Sequence, residues 1–544
     1  MADENRKNSF WKRQWPFAVG GAVVGLGEAI YFLTFGKFIP VTTGLAKMFS
    51  TVEANITHTS TISKVYSPDV HWIIIGALLG AWLVGRLEGE SRNWVKYSPG
   101  MLLVAFLGGI IFGFGTRLGP GCTTHHIFGG LAVMSVASWT IAVLGLPFAF
   151  LAFELVARLG YGPYFKHQET RSVCQTCRNA GLDDDHRLVL DEKYNPWKSW
   201  LRMGAWSIVA VVIVSSLYTG FFGASGQALG SGPLWPNIIR LIAGACLGFG
   251  IAKAGVGTEC GLMAPESLLV PESHYRKLNI PVVTQRMFQA LLPVSGVLAA
   301  ILVLNIAVLV MWLGFGWPVP NAAPKPQGWG LHIGHLLAAP CLAIGSVFMI
   351  GCEIRTYGRV GLGYLTGIVG LIGFYFGYLP YVYFQGAIDG FIANHTFLRA
   401  TNIPELLTSD PVGQKVVGVA YTVLLASLFV LVVVQGAKRI GASPVEYLTV
   451  NTDDLVLRNI DAIPVSAPVR ARTGRPGRLR ESPSRPADAD AAHANAAARS
   501  STAVGRTEPE RGPTTMAPRT VAPAAMAEAD AQRARAGRGA GESH

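Results

Sequence analysis

The chain has 544 residues, of which half are hydrophobic and only 14% are charged. Soluble domains carry about 25% charged residues, so this composition excludes an ordinary soluble protein and indicates a polytopic membrane protein. The net charge of +12 does not indicate nucleic-acid binding. The basic residues lie mainly between apolar segments and in the tail, a pattern that the positive-inside rule and anionic lipid surfaces explain. We therefore expect the lipid bilayer, and no nucleic acid, as a partner.

The chain begins with a short basic segment. Residues 1–16 run directly into an apolar stretch without a small-residue cleavage site, so we interpret them as a cytoplasmic N-terminus. Segments of about 20 residues, the length that spans a bilayer, then recur through a transmembrane domain at 17–440. They predict an all-α fold with about 9–10 transmembrane helices. The segments lie near 17–36, 71–85, 99–114, 131–157, 203–222, 235–252, 287–314, 332–350, 361–380 and 415–435.

Charges in the connections orient these segments. Eight lysines and arginines lie between 158 and 202, whereas 223–234 has none and 381–414 has only Arg399. The positive-inside rule then places both termini in the cytoplasm. Residues 441–544 form a cytoplasmic tail. From about 465 the tail is rich in Ala, Arg, Pro and Ser, a composition that predicts disorder because it buries too little apolar surface.

The stretch GFGTRLGPGCTTHH, at 113–126, interrupts the apolar segments. A helix cannot continue undisturbed through its Gly-Pro-Gly sequence. Irregular backbone at membrane depth is tolerated only where it is buried in protein or lines a cavity. The break carries Arg117 and Cys122, so we predict a functional site there. Its histidines, His125 and His126, are either vestibule residues or merely hydrogen-bonded polar side chains.

The break recurs later in the chain. Gly345 stands seven residues before Cys352, as Gly115 stands seven residues before Cys122, and each cysteine follows a glycine. A third segment, GFGIAKAGVGTECG at 248–261, has the same GFG opening but is three residues longer to its cysteine, Cys260. Paired broken helices in the two halves of a transporter indicate a central binding site. We therefore predict short re-entrant helices or loops and an internal pseudo-two-fold repeat.

The cysteines of these breaks differ from the other apolar cysteines. Cys246 and Cys341 lie in smooth apolar runs, where a thiol behaves as a small hydrophobe. Cys122, Cys260 and Cys352 each lie beside ionisable residues, which are functional by default inside a membrane. Nucleophilic, metal-binding and hydrogen-bonding roles are all open for them. A neutral thiol, which is a weak donor and soft acceptor, suits a soft sulfur-bearing anion.

Charges near the breaks favour an anion. The segments around the breaks contain four basic residues and only two glutamates. Half-helix N-termini there add dipoles that attract anions. The alternative is that these arginines snorkel or pair with neighbouring glutamates. Candidate substrate-binding residues are Arg117, Gly121, Cys122, Thr123, Cys260, Gly351, Cys352, Arg355 and Arg359; we expect no catalytic residue.

A separate pattern occurs in the connection 158–202. Cys174 and Cys177 form a CxxC motif flanked by His167 and His186. Such a motif can hold zinc or cycle as a dithiol, although the spacing fits zinc only loosely. A loop with two reduced thiols, or a contact with a soluble cytoplasmic sulfur-handling protein, are the alternatives. No other cofactor is expected.

The sequence RLGPGCTTHHIFGGLAVMSVASW resembles the first signature of the YeeE/YedE family of sulfur-compound transporters, and GCEIRTYGRVGLGYLTGIVGL resembles the second. The intermediate AKAGVGTECGLMAPES resembles a further cysteine segment of YedE-type members. The match covers roughly 17–435. It implies an inner-membrane helical protein that imports thiosulfate or a related species, with Cys122 and Cys352 contacting the substrate through their thiols and Cys260 as a weaker third contact.

Two departures from the family pattern concern the substrate. Thr123 and Thr124 replace the serine and glycine that usually follow the first cysteine, and Glu353 replaces the proline that usually follows the second. Since a carboxylate would repel a dianion, we expect Glu353 to be protonated or paired with Arg355 or Arg359. A selenium species, or a membrane thiol redox or sulfurtransferase protein, are the alternatives to thiosulfate import.

Overall fold

A computed structural model describes residues 14–87, 99–156, 196–223, 227, 233–258, 261, 282–319, 330–349, 351–452 and 455. These residues are about 82% helical. The strands among them, β1 (Leu331–His332) and β2 (Thr396–Leu398), form one antiparallel pair. The predicted all-α class is therefore confirmed. All of the described residues belong to one compact unit, 1–467; the CxxC loop and the tail from 468 lie outside them.

The helices follow the apolar segments. In chain order they are α1 (Phe17–Phe35), α2 (Val41–Val52), α3 (Trp72–Leu87), α4 (Pro99–Leu118), α5 (Val136–Val156), α6 (Pro196–Phe222), α7 (Trp235–Ala254), α8 (Val282–Gln289), α9 (Leu292–Phe315), α10 (Ile333–Met349), α11 (Glu353–Leu362), α12 (Leu365–Asn394), α13 (Ile403–Leu407), α14 (Pro411–Ile440) and α15 (Pro444–Thr449). A π-helix, Thr124–Gly130, lies between α4 and α5. Nine spans in the described part of the chain, one of which joins α10 and α11, are long and apolar enough to cross a bilayer.

The helix packing repeats in the two halves of the chain. Helix α1 packs on α7 and α9, and α7 in turn packs on α3; helix α4 packs on α10 and α12, and α10 in turn packs on α5. Exchanging α1 with α7, α3 with α9, α4 with α10 and α5 with α12 leaves these contacts unchanged. The order of the exchanged helices along the chain is also the same. This equivalence confirms the predicted pseudo-two-fold repeat.

Glycines allow the repeated helix pairs to approach closely. A Cβ atom on Gly21 of α1 would collide with the Gly296 carbonyl of α9, and one on Gly248 of α7 would collide with the Ala77 carbonyl of α3. Without the aqueous hydrophobic effect between helices, close van der Waals contact at small residues drives their association in a membrane. Both halves therefore use the same contact.

The loop after helix α2 is held in place by one buried carboxylate. Glu53, buried at the end of α2, accepts hydrogen bonds from the backbone N–H groups of Thr61, Ile62 and Ser63 at 2.9–3.0 Å. It also accepts one from the Tyr375 hydroxyl of α12 at 3.1 Å. This carboxylate stabilises the loop that leads to Tyr66.

Candidate functional site

The helices before the two breaks end in the same way. The backbone N–H of Gly121 donates to the Thr116 carbonyl at 3.2 Å, and that of Gly351 donates to the Ser346 carbonyl at 2.9 Å. Each bond reaches back five residues and satisfies a carbonyl that the helix end would leave open. The amides of both predicted glycines are therefore occupied by the backbone.

The cysteines after the breaks start new helices. The Cys122 carbonyl accepts from the His126 N–H, and the Cys352 carbonyl accepts from the Thr356 N–H, both at 2.9 Å. Each thiol therefore stands at the positive end of a short helix. The first helix is a π-helix, a rare form that occurs frequently at functional sites.

The two breaks differ in backbone conformation. Gly121 has φ +138°, where an added Cβ would also collide with the His125 ring. Gly351 is not among the residues of positive φ, and a Cβ there would meet its neighbours at 3.4 Å, an ordinary contact. Only the first break requires glycine for its conformation.

The structure brings Cys122 and Cys352 together, and both thiols are fully buried. The Thr124 hydroxyl lies 3.9 Å from the Cys352 sulfur. The same hydroxyl and the His125 backbone N–H lie beside the Cys122 sulfur. Two residues that are 230 positions apart in the sequence thus share one threonine.

The third cysteine segment also reaches this place. The hydroxyl of Thr258, two residues before Cys260, donates to the Thr123 hydroxyl at 2.9 Å. Thr123 is therefore held by a partner from the second half of the chain. Cys260 itself lies outside the described residues.

Arg117 projects from the last turn of α4 into an aromatic surrounding. Its Nη1 donates to the Tyr66 hydroxyl at 2.6 Å and its Nε to the Thr116 hydroxyl at 3.1 Å. The guanidinium carbon also lies 4.8 Å from the ring centre of Tyr378. Among the described residues no carboxylate forms an ion pair with Arg117, so its charge remains available to an anion.

Glu353, the first residue of α11, is fully buried beside the thiols. Its Oε1 accepts a hydrogen bond from Tyr357 at 2.7 Å. The Cys122 thiol, the Thr42 hydroxyl and the charge of Arg117 also act on the carboxyl group. The expected pairing with Arg355 or Arg359 is therefore not found: a tyrosine supplies the hydrogen bond.

The other two predicted arginines are buried in α11. The guanidinium of Arg359 donates to the Met349 carbonyl at 2.6 Å and to the Thr366 hydroxyl at 2.7 Å. It therefore ties the end of α10 to the start of α12. Arg355 is 6% exposed.

A cavity of about 710 Å³ lies against the first break. Arg117, Pro120 and Gly121 form part of its wall, and Thr42, the neighbour of Glu353, forms another part. The rest of the wall combines apolar residues with hydroxyl groups, His125 and the carboxyl group of Asp389. The complete lining is Ile39, Pro40, Val41, Thr42, Thr43, Tyr66, Thr116, Arg117, Pro120, Gly121, His125, Tyr381, Asp389, Gly390, Ile392 and Ala393.

The two histidines of the first break have different surroundings. His125 lines the cavity and packs edge-on against Phe38. His126, which lies between two spanning helices, hydrogen-bonds with Ser138 at 3.0 Å and with the Gly119 carbonyl at 3.3 Å. His126 does not line the cavity, and these two bonds hold its buried ring in the turn between α4 and α5.

The residues of the predicted zinc site are not among those that the structure describes. Cys174 and Cys177 lie in the 157–195 gap, outside the described residues. Among the described residues, no group of three or more histidines, cysteines or carboxylates is arranged to hold a metal ion.

The family comparison agrees with this arrangement. Residues 2–148, which include Arg117 and Cys122, match a family model described as sulphur transport. The match covers less than half of the chain and supports the resemblance of the first signature to the sulphur transport (YeeE/YedE) family. The second signature and the segment 248–261 lie outside the match, and the apolar spans of the described residues indicate a multi-pass membrane protein. No curated protein and no solved structure matches the chain.

Sequence reasoning missed several residues around the thiols. Tyr66, Tyr357 and Tyr378 surround Arg117 and Glu353, and Thr42 joins the carboxyl group to the cavity wall. The contact of Tyr357 could have been predicted from the sequence, because this residue lies four positions after Glu353 and so on the same helix face. The others come from distant segments, and no local pattern distinguishes them from packing residues.

Proposed function

We propose that this protein is a sulfur transporter that imports thiosulfate or a related sulfur-containing anion along a path lined by Cys122 and Cys352. The observation that carries the proposal is the meeting of both thiols behind a cavity whose wall contains Arg117. The guanidinium attracts the anion. The thiols then offer weak S–H donors and polarizable sulfur atoms to its soft end.

Helix ends support an anionic passenger. Both cysteines start short helices, and the positive ends of the helix dipoles favour negative charge there. Hydrogen bonds from neutral donors hold an anion more weakly than permanent ion pairs would. Such weak contacts favour release as well as binding, which transport requires.

The charges of the connections support the proposed import direction. The cavity lies where α4 and α12 end, and the connection after α12 is poor in Lys and Arg. The positive-inside rule puts that side outside the cytoplasm of an inner membrane, with both termini inside. In this orientation the anion enters the cavity from outside. The CxxC loop at 174–177 faces the cytoplasm, where a sulfur-handling protein is its proposed partner.

The nearness of the two thiols also favours a second candidate, a membrane thiol redox or sulfurtransferase protein. In that case Cys122 or Cys352 would react covalently with the sulfur compound. Mass spectrometry after incubation with thiosulfate distinguishes the two: transport through neutral thiols leaves both cysteines unmodified, whereas the enzyme leaves a persulfide or mixed disulfide. A selenium species is a further substrate to compare.

Uptake by purified protein in liposomes tests the proposal. We expect Cys122→Ala and Cys352→Ala each to reduce the initial rate of labelled thiosulfate uptake by at least about tenfold, since each removes a hydrogen-bond donor from a buried site. Cys246→Ala and Cys341→Ala are the matched controls, because these cysteines lie in apolar runs of α7 and α10, and we expect near-normal uptake. Full uptake by both site variants would disprove the cysteine path.

A further inference from the structure

Glu353 is a buried carboxyl group that the cysteine path does not use. It is fully buried and directly follows Cys352. Carboxyl groups are seldom fully buried unless they are paired. No basic residue of the described chain forms an ion pair with Glu353, and Arg359 of the same helix binds a backbone carbonyl instead.

The two carboxyl oxygens of Glu353 differ in their hydrogen bonding. Oε1 accepts from Tyr357 at 2.7 Å. Oε2 is buried and has no hydrogen bond of normal geometry, although the Cys122 thiol and the Thr42 hydroxyl lie nearby. An ionised carboxylate with a buried, unbonded oxygen is costly unless a positive charge lies near it. Before an anion binds, Arg117 supplies that charge, and an anion that binds Arg117 removes this balance. A protonated oxygen, in contrast, would be a donor directed at the space beside Cys122.

The groups that face Glu353 come from its own helix and from four other elements. They are Arg117 of α4, Cys122 of the first break, Thr42 of α2, Tyr378 of α12 and Tyr357 of α11 itself. Arg117 is the one cation in this described set, and its hydrogen bonds go to Tyr66 and Thr116. A dianion that arrives here meets one positive charge, and an ionised Glu353 would cancel that charge.

We propose that Glu353 is a proton-binding site of the transport cycle, so that one proton enters with each anion. As the anion binds, a proton passes from water in the cavity to Oε2 of Glu353. The protonated oxygen donates to the anion, and the proton leaves to water on the cytoplasmic side when the anion does. Binding of the anion and of the proton favour each other, and by linkage the effect is reciprocal. This proposal rests on the proposed function.

Thiosulfate uptake into liposomes under an imposed pH gradient tests this proposal. With an acidic exterior, we expect the initial rate of the wild type to rise at least about threefold over the rate without a gradient, and a protonophore should abolish the rise. Glu353→Gln keeps a neutral donor but cannot release a proton, so its ratio of the two rates should fall to about one. Glu28→Gln, which changes a buried glutamate of α1, is the control and should keep the wild-type ratio.

A second measurement on the wild type does not depend on any variant. Adding thiosulfate to the purified protein in weak buffer should remove about one proton per bound anion from solution. Thiosulfate uptake without a gradient effect, or with the same effect in Glu353→Gln, would overturn the proton proposal and leave the transport proposal standing. No thiosulfate uptake under any gradient would overturn both.

Discussion

The two breaks share one backbone arrangement but have different surroundings. In both, a glycine N–H closes the preceding helix and a cysteine carbonyl opens the next. The first break forms part of the cavity wall through Pro120 and Gly121, whereas no described residue of the second break lines that cavity. The internal repeat thus contains two copies of the same helix break. The side chains around the two breaks differ, so in the described part of the chain only the first break lines the cavity.

Two of the predicted site arginines, Arg117 and Arg359, show the same contrast. Arg117 binds hydroxyl groups and aromatic rings beside the cavity. Arg359 binds the backbone carbonyl of Met349 and holds three helices together. One arginine therefore keeps its charge available for an anion, while the other uses its donors for the fold. The variants below test this division.

The largest effect should come from Arg117→Gln. Hydrogen bonds and contacts of a charged group contribute roughly 1.5–3 kcal/mol, so we expect thiosulfate uptake at low concentration to fall by about 10- to 100-fold. The matched variant Arg359→Gln should instead lower the melting temperature in detergent, because it leaves the Met349 carbonyl without its donor. If Arg359→Gln lost uptake at unchanged stability and Arg117→Gln did not, the assignment would be reversed.

A smaller effect should separate the two glycines. Gly121→Ala places a side chain at φ +138° and against the His125 ring, a strained arrangement that costs about 1–3 kcal/mol. Gly351→Ala meets only ordinary contacts and should be nearly neutral. Thermal unfolding of both variants in the same detergent measures the difference. Equal melting temperatures would contradict a conformational role that is special to the first break.

The smallest effect concerns the third segment. Thr258→Val removes the hydroxyl that donates to Thr123 but keeps the side-chain shape. We expect a loss of about 1 kcal/mol of stability and a modest fall in uptake. Thr124→Val is the comparison at the second contact, since its hydroxyl faces both thiols. A Thr258→Val protein with wild-type stability and uptake would show that the third segment does not support the first break.

Much of the fold could be predicted from the sequence because apolar length and glycine breaks are local signals. The segments near 17–36, 203–222 and 235–252 agree closely with α1, α6 and α7. The repeat of cysteine breaks predicted the two-fold packing. Helix α2, at Val41–Val52, was missed because its apolar residues occupy one face among threonines and a lysine, so hydropathy alone gives no spanning signal.

The site was less accessible than the fold. Cys122, Cys352 and Arg117 could be selected because each stands at a break in an apolar run. The expected partners of Glu353 were arginines of its own helix, but charge and spacing do not determine which way a side chain points. Its contacts, Tyr357 apart, come from α2, α4 and the first break. Such long-range neighbours depend on how the helices pack, which no single segment encodes.

The most direct test of the account is equilibrium binding of labelled thiosulfate to the purified cysteine variants, compared with their uptake in liposomes. If the first break receives the anion and the second passes it on, Cys122→Ala should lose both binding and uptake. Cys352→Ala should bind thiosulfate and fail to carry it across. Binding by Cys122→Ala with wild-type affinity, or uptake by Cys352→Ala at the wild-type rate, would contradict a path that runs from Cys122 to Cys352.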